Sequence, residues 1–242
     1  MPLRRMTARE RTEAANWQLA ALLAFNAGAV DVVGYLGLRQ FTSHMSGIVA
    51  TLAAEAGTKG YAILLLRPAA ILASFIAGAA FCAVLVNWER RRDRESLFAV
   101  PVFLEAVLLA VIPTFAGVNH LFATLMLMGF CMGLQNAIIT KISHKEIRTT
   151  HVTGMVTDVG IELGKLIYWN RSSGHVPVLA HRRRLVQLST LVLLFFAGGI
   201  LSALTFQRVG FLLLLPLAAL LAAPTMLPIF SDLKAHRMVV RA

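Results

Sequence analysis

The chain has 242 residues, of which 57% are apolar and only 14% charged, with a mean hydropathy of +0.71. A soluble domain carries about 25% charged residues, and several apolar runs here approach or exceed the ~20 residues that cross a bilayer as a helix. The composition therefore excludes a soluble globular protein and predicts a polytopic α-helical membrane protein; the period-2 alternation of a membrane barrel is absent. The net charge of +11 does not indicate nucleic acid, because the basic residues lie in short loops between apolar runs, as orientation in a membrane requires.

In chain order, residues 1–15 form a basic tail with Arg4, Arg5, Arg9 and Arg11. The apolar run that follows passes through Asn26 and Asp31 without a cleavage signal, so it reads as a retained first helix over 17–38. A polar segment at 42–57 and a turn at Lys59 and Gly60 come next. A second helix is predicted over 62–86, with Pro68 near its start, where a missing N–H matters least. The loop 87–96 holds Arg90, Arg91, Arg92 and Arg94, and a third helix over 97–116 contains Glu105. The cycle then restarts with a helix over 121–140, a second polar segment at 149–164, and a basic loop with Arg182, Arg183 and Arg184. Helices over 185–206 and 209–230 complete it, the last carrying Pro216 as an expected kink. Cys82 and Cys131 sit inside apolar runs and read as small apolar residues.

The two polar segments repeat one another. His44-Met45-Ser46-Gly47 and His151-Val152-Thr153-Gly154 align without a gap at an offset of 107 residues, and Glu55 and Glu162 keep the same offset. Gly28-Ala29-Val30-Asp31 aligns with Gly133-Leu134-Gln135-Asn136 at an offset of 105, and Phe75-Ile76-Ala77-Gly78 resembles Phe195-Phe196-Ala197-Gly198. A helical segment of about 14 residues spans only ~21 Å, short of the ~30 Å hydrocarbon core. With six spans and a cytoplasmic N-terminus, 19 of the 23 Lys and Arg residues fall on the cytoplasmic side; only Arg39, Lys59, Arg67 and Arg208 fall outside. Eight spans would turn the four-arginine loop outward. The expected fold class is thus an all-α polytopic membrane protein of about six transmembrane helices. They form an inverted 3+3 repeat, each half with a short polar re-entrant or broken segment. The halves are residues 16–116 and 117–230 of one membrane domain, and 231–242 form a cytoplasmic tail.

Irregular backbone at membrane depth is tolerated where protein buries it or water lines it, a recurring design in transporters. Ser46 and Thr153 are placed to cap a first helical turn, and Gly47 and Gly154 to allow close backbone approach. His44 and His151 precede that turn. Two half-helix N-termini meeting near the midplane would suit a small polar or anionic solute. The expected site is Asn26, Asp31, His44, Ser46, Gly47, Gln135, Asn136, His151, Thr153 and Gly154. Asp31 is an acid in the middle of a span, where such groups face the bundle interior or a water path and serve proton or cation coupling. Close helix packing alone is the competing account of the glycines and hydroxyls, and a hydrogen bond to Asn26, Gln135 or Asn136 that of Asp31. Glu105 is a second intramembrane acid, and the i,i+4 pair Asp158 and Glu162 reads as a solvated face, with a cation site as the alternative. No metal or other cofactor is implied, since no compact spacing such as His-x-x-x-His occurs.

These residues also carry a family resemblance. Phe41-x-x-His44-Met45-Ser46-Gly47, Met132-Gly133-Leu134-Gln135-Asn136-Ala137 and Thr149-Thr150-His151-Val152-Thr153-Gly154 resemble the YoaK family of bacterial membrane proteins, over roughly residues 17–230. One departure is Ile48 after Gly47, where the family often has asparagine. The resemblance implies a bacterial cytoplasmic membrane location and supplies no substrate. The leading functional expectation is a small-solute transporter or channel that is not an enzyme. A membrane scaffold or assembly protein and an intramembrane enzyme are the alternatives, and a homo-oligomer is left open.

Overall fold

A bilayer offers a backbone no water to bond, so apolar runs must satisfy their N–H and C=O groups within helices. The computed structural model describes residues 7, 12–58, 62–92, 96–116, 120–142, 151–169 and 177–240, and all regular structure among them is helical. The predicted turn at Lys59 and Gly60, most of the basic tail, Arg94, Thr149 and Thr150 lie outside the described residues. In order the helices are α1 (Glu13–Leu38), α2 (Met45–Thr58), α3 (Ala62–Arg91), α4 (Ala99–Phe115), α5 (Leu121–Ile142), α6 (Val152–Ile167) and α7 (Arg182–Val209). A 3-10 turn (Gly210–Leu213), α8 (Leu214–Ala222) and α9 (Met226–Val240) follow. Among the described residues, Glu13–Leu38, Leu65–Arg91, Leu121–Ile142 and Arg182–Ala222 are long and apolar enough to cross a membrane; α4 is a shorter apolar helix.

Local chemistry sets the ends. The Thr12 hydroxyl accepts a hydrogen bond from the Ala15 N–H at 3.2 Å and caps α1. At the other end Arg39 adopts φ 54°, the left-handed conformation that terminates helices, and its N–H donates to the Tyr35 carbonyl at 2.9 Å. The loop predicted at 87–96 is shorter than expected, because α3 continues through Arg91; Arg90 and Arg91 occupy its last turn, where cations oppose the negative end of the helix dipole. The sixth predicted helix is not continuous. Pro216 lacks the N–H that would bond Leu212, and the turn carrying that carbonyl is the 3-10 segment. A complete break falls later, at Ala223–Thr225, around Pro224.

Packing follows a regular scheme. The most extensive contacts join α1 to α7 and α3 to α5; α1 also touches α5, and α4 lies on α5 and α8. The helices α1, α4 and α5 supply the fully buried Leu19, Leu23, Leu109, Ile112, Met128 and Met132, whereas α3 and α7 leave Ile76, Val84, Leu193 and Leu204 exposed. Exposed apolar side chains on the outer helices are what a bilayer requires, since lipid is as apolar as they are.

Both crossings use the same device. A Cβ on Gly28 would collide with the Phe195 carbonyl, and one on Gly198 with the Phe25 carbonyl. A Cβ on Gly133 would collide with the Phe75 carbonyl, and one on Gly78 with the Phe130 carbonyl. Each helix therefore carries Phe-x-x-Gly, and in each pair the glycine of one helix receives the phenylalanine carbonyl of the other. Only a residue without a side chain permits backbones this close, and the Cα–H groups face the carbonyls as weak donors.

Chain ends sort onto two ends of the bundle. Thr7 Oγ1 donates to the Pro224 carbonyl at 3.0 Å, Phe98 N to the Thr7 carbonyl at 3.3 Å, and Ser96 N to Asp232 at 2.9 Å. Arg183 pairs with Glu13 at 2.8 Å. The starts of α1, α4 and α7 thus share one end with the α8–α9 corner. At the opposite end Arg67 of α3 donates to the Leu38 carbonyl, Phe211 covers Gly37, and Phe115 meets His120 edge-on at 6.4 Å.

Candidate functional site

Asp31 lies seven residues before the end of α1, about 10 Å inside it at ~1.5 Å per residue. After Arg39 the chain turns back along α1 and reaches this carboxylate. Oδ1 accepts from Thr42 N at 2.8 Å, Ser43 N at 2.9 Å and Thr42 Oγ1 at 3.2 Å; Oδ2 accepts from Ser43 Oγ at 2.6 Å. These four donors explain why an acid is held at that depth: it satisfies the backbone of a segment that has left the helix. Stacking of Phe41 on Tyr35, with centroids 4.6 Å apart, fixes the same return, and Phe41 meets His44 edge-on at 6.4 Å.

The half-helix α2 starts from this point. Ser46 and Thr153, expected as caps, are instead the second residues of α2 and α6, two positions past the N-cap, where a capping side chain acts. His151 is the N-cap of α6 and makes no side-chain cap bond. The glycines have a local use: the imidazoles of His44 and His151 lie against Gly47 and Gly154, where a Cβ would crowd the ring. His44, Ser46, His151 and Thr153 are exposed, and Gly47 and Gly154 half-buried. The two half-helices rest on different partners, α2 on α3 and α6 on α7. The expected meeting of their N-termini at one point is not what this packing brings together.

The polar residues that do converge are Asn26 of α1, Glu105 of α4 and Gln135 of α5, each 0% exposed. Asn26 Nδ2 donates to Gln135 Oε1 at 3.3 Å and to Glu105 Oε1 at 3.4 Å, and Gln135 Nε2 donates to the Leu23 carbonyl at 2.6 Å. Asn26 Oδ1 and Glu105 Oε2 have no hydrogen-bond partner. Buried polar atoms are almost always paired, so two orphans in one cluster mark a functional candidate. Asn26 and Gln135 were legible in the sequence as members of one site; Glu105 belongs with them because α4 packs across α5 and α8. Asn136, the counterpart of Asp31, is half-buried, and its Nδ2 bonds back to the Met132 carbonyl at 2.9 Å.

Glu162 is not on a solvated face. It is 2% exposed, accepts from Lys165 Nζ at 2.8 Å, and accepts from His181 N at 2.7 Å at the start of α7. The Lys165 hydrogen bond and then the His181 N–H hold its carboxyl below the ordinary value. Asp158 pairs with Arg184 at 3.0 Å. An open pocket of about 390 Å³ lies at the other end of the bundle, beside Leu38, Arg39, Arg67 and Phe122. No group of three or more His, Cys, Asp or Glu side chains suited to a metal occurs among the described residues.

Comparison with known proteins agrees with this membrane architecture. The family model described as "Protein of unknown function (DUF1275)" matches residues 19–227. The UPF0700 transmembrane protein YoaK of Bacillus subtilis (strain 168) is 25% identical over 190 residues, covering 77% of this chain and 82% of the relative. No solved structure matches.

Proposed function

For a chain that belongs to the DUF1275 family of transmembrane YoaK-like proteins, we propose a transporter or channel for a small polar solute, built as an inverted 3+3 repeat. The observation that carries this reading is the buried Asn26–Glu105–Gln135 cluster, which draws on helices from both halves and leaves two polar atoms unsatisfied. A purely structural core gains nothing from orphaned acceptors at membrane depth; a passage for solute uses them when occupied. The repeat is supported by the exchange symmetry of the packing. Exchanging α1 with α5 and α3 with α7 turns the Gly28–Phe195 crossing into the Gly133–Phe75 crossing. The starts of α1 and α5 lie at opposite ends of the bundle, as inversion requires. The cytoplasmic membrane, with both termini on the cytoplasmic side, is the location that fits the distribution of Lys and Arg.

The test is flux into proteoliposomes across a panel of small polar solutes, with Asn26→Ala and Gln135→Ala as variants. A solute whose flux falls at least about tenfold in both folded variants, roughly the effect of losing one charged or buried hydrogen bond, supports the site. Unchanged flux in both would remove the cluster from the pathway. Absence of flux for every solute would favour the scaffold reading.

A further inference from the structure

The two intramembrane acids differ in what their oxygens meet. Asp31 accepts from four donors and has both oxygens engaged. Glu105 accepts one long bond on Oε1, and Oε2 has no partner. No Lys or Arg among the described residues forms an ion pair with it; the titratable groups acting near it are the buried thiols of Cys131 on α5 and Cys82 on α3, with Lys141 acting on Cys82. Among the groups on the other helices packed against α4, Asp232 of α9 is taken up by Ser96 N. An ionised carboxylate here would be a buried charge without a counter-charge and with half its acceptor capacity empty.

The hydrogen-bond inventory is short by one donor. Asn26 and Gln135 supply the amide hydrogens, and the acceptors left over are Glu105 Oε2 and Asn26 Oδ1. A single proton on Oε2 converts one orphan into a donor, and Asn26, already bonded to the other Glu105 oxygen, carries the second orphan acceptor. A bound metal ion would demand several more oxygens than this cluster offers. Glu105 sits six residues after the start of α4, and Gln135 seven before the end of α5, each about 10 Å from those helix ends. The group is thus within a short path of the end of the bundle where the α4 start lies.

We propose that Glu105 binds a proton taken up from water, held between its Oε2 and Asn26 Oδ1, and that this group rather than Asp31 is the coupling site of transport. Uptake neutralises the carboxylate, and release to water restores its single negative charge. The coupling role rests on the transport reading; proton binding does not.

The experiment is infrared difference spectroscopy of the reconstituted full chain, without any solute, in H2O and D2O across a pH titration. The expected result is a protonated-carboxyl C=O band that shifts on deuteration, persists in Asp31→Asn and is lost in Glu105→Gln. Asn26→Leu, which keeps Glu105 and removes Oδ1, moves the band to the frequency of a free carboxyl and serves if Glu105→Gln does not fold. A spectrum with no such band at any pH, or a carboxylate band that responds to Na+ against K+, overturns the proposal. A Glu105 band together with flux that is insensitive to pH would retain the proton site and reject its coupling role.

Discussion

At the scale of single residues, the structure separates two jobs for acids that a sequence presents alike. Asp31 is a backbone clamp. Hydrogen bonds to a charged group contribute about 1.5–3 kcal/mol each, and four converge on it. Replacing Asp31 by Asn keeps one acceptor and removes the charge, so the fold should lose on the order of 2–3 kcal/mol. Amide hydrogen exchange at Thr42 and Ser43 should accelerate well before exchange in α1; slow exchange at both in the variant would show that the clamp is not what holds the return. Glu162 is a second clamp, binding the α7 start to α6 through His181 N while Lys165 of its own helix pairs with it. Its carboxyl is held below the ordinary value of 4.5 in the folded protein. A lowered folded value means that its contribution is fully present above that ordinary value and disappears as pH falls through the folded one. Acid below pH 4.5 should therefore loosen the α6–α7 corner in the native protein. Glu162→Gln should already be loose at neutral pH, as read by exchange at His181 N.

At the scale of elements, the fold depends on two backbone crossings. The Phe-x-x-Gly pattern occurs at Phe25–Gly28, Phe75–Gly78, Phe130–Gly133 and Phe195–Gly198, and all four glycines face a phenylalanine carbonyl. Backbone cannot yield as a flexible side chain does, so Gly28→Val and Gly133→Val should each cost more than the ~1–3 kcal/mol typical of overpacking. A thermal midpoint in detergent should fall sharply for both. Gly57→Val, where a Cβ meets nothing within 4 Å, should leave it nearly unchanged. Equal midpoints for all three variants would disprove the crossings as built. The three arginines that open α7 stand at the positive end of a helix dipole, an unfavourable place offset by Glu13 and Asp158. Exposed pairs of this kind contribute little stability, so their use is to fix the helix start at the membrane surface.

At the scale of the whole molecule, the prediction is sidedness. In a chain lacking Cys82 and Cys131, single cysteines at Thr58, the last residue of α2, and at Leu179, after α6, both exposed, lie at opposite ends of the bundle. An impermeant thiol reagent should label Thr58→Cys in intact cells and Leu179→Cys only in inverted vesicles. Labelling of both from one side would reject the inverted arrangement. The sequence by itself determined the membrane class, the positions of all but the last helix to within a few residues, and the repeated segments. Apolar run length and charge placement respond to the bilayer, a solvent that acts on each segment separately. Asn26 and Gln135 were legible as a shared site because polar residues in mid-span have few places to go. Tertiary structure alone decided that Glu105 joins them, that Asp31 binds Thr42 and Ser43, and that His44 and His151 stand apart. Which polar groups meet depends on which helices cross, and the crossings are set by contacts between glycines and carbonyls some 55 to 170 residues apart in the chain, as at Gly133–Phe75 and Gly28–Phe195. No local pattern of hydropathy carries that information; the four-fold Phe-x-x-Gly motif does, once the pairing of helices is known.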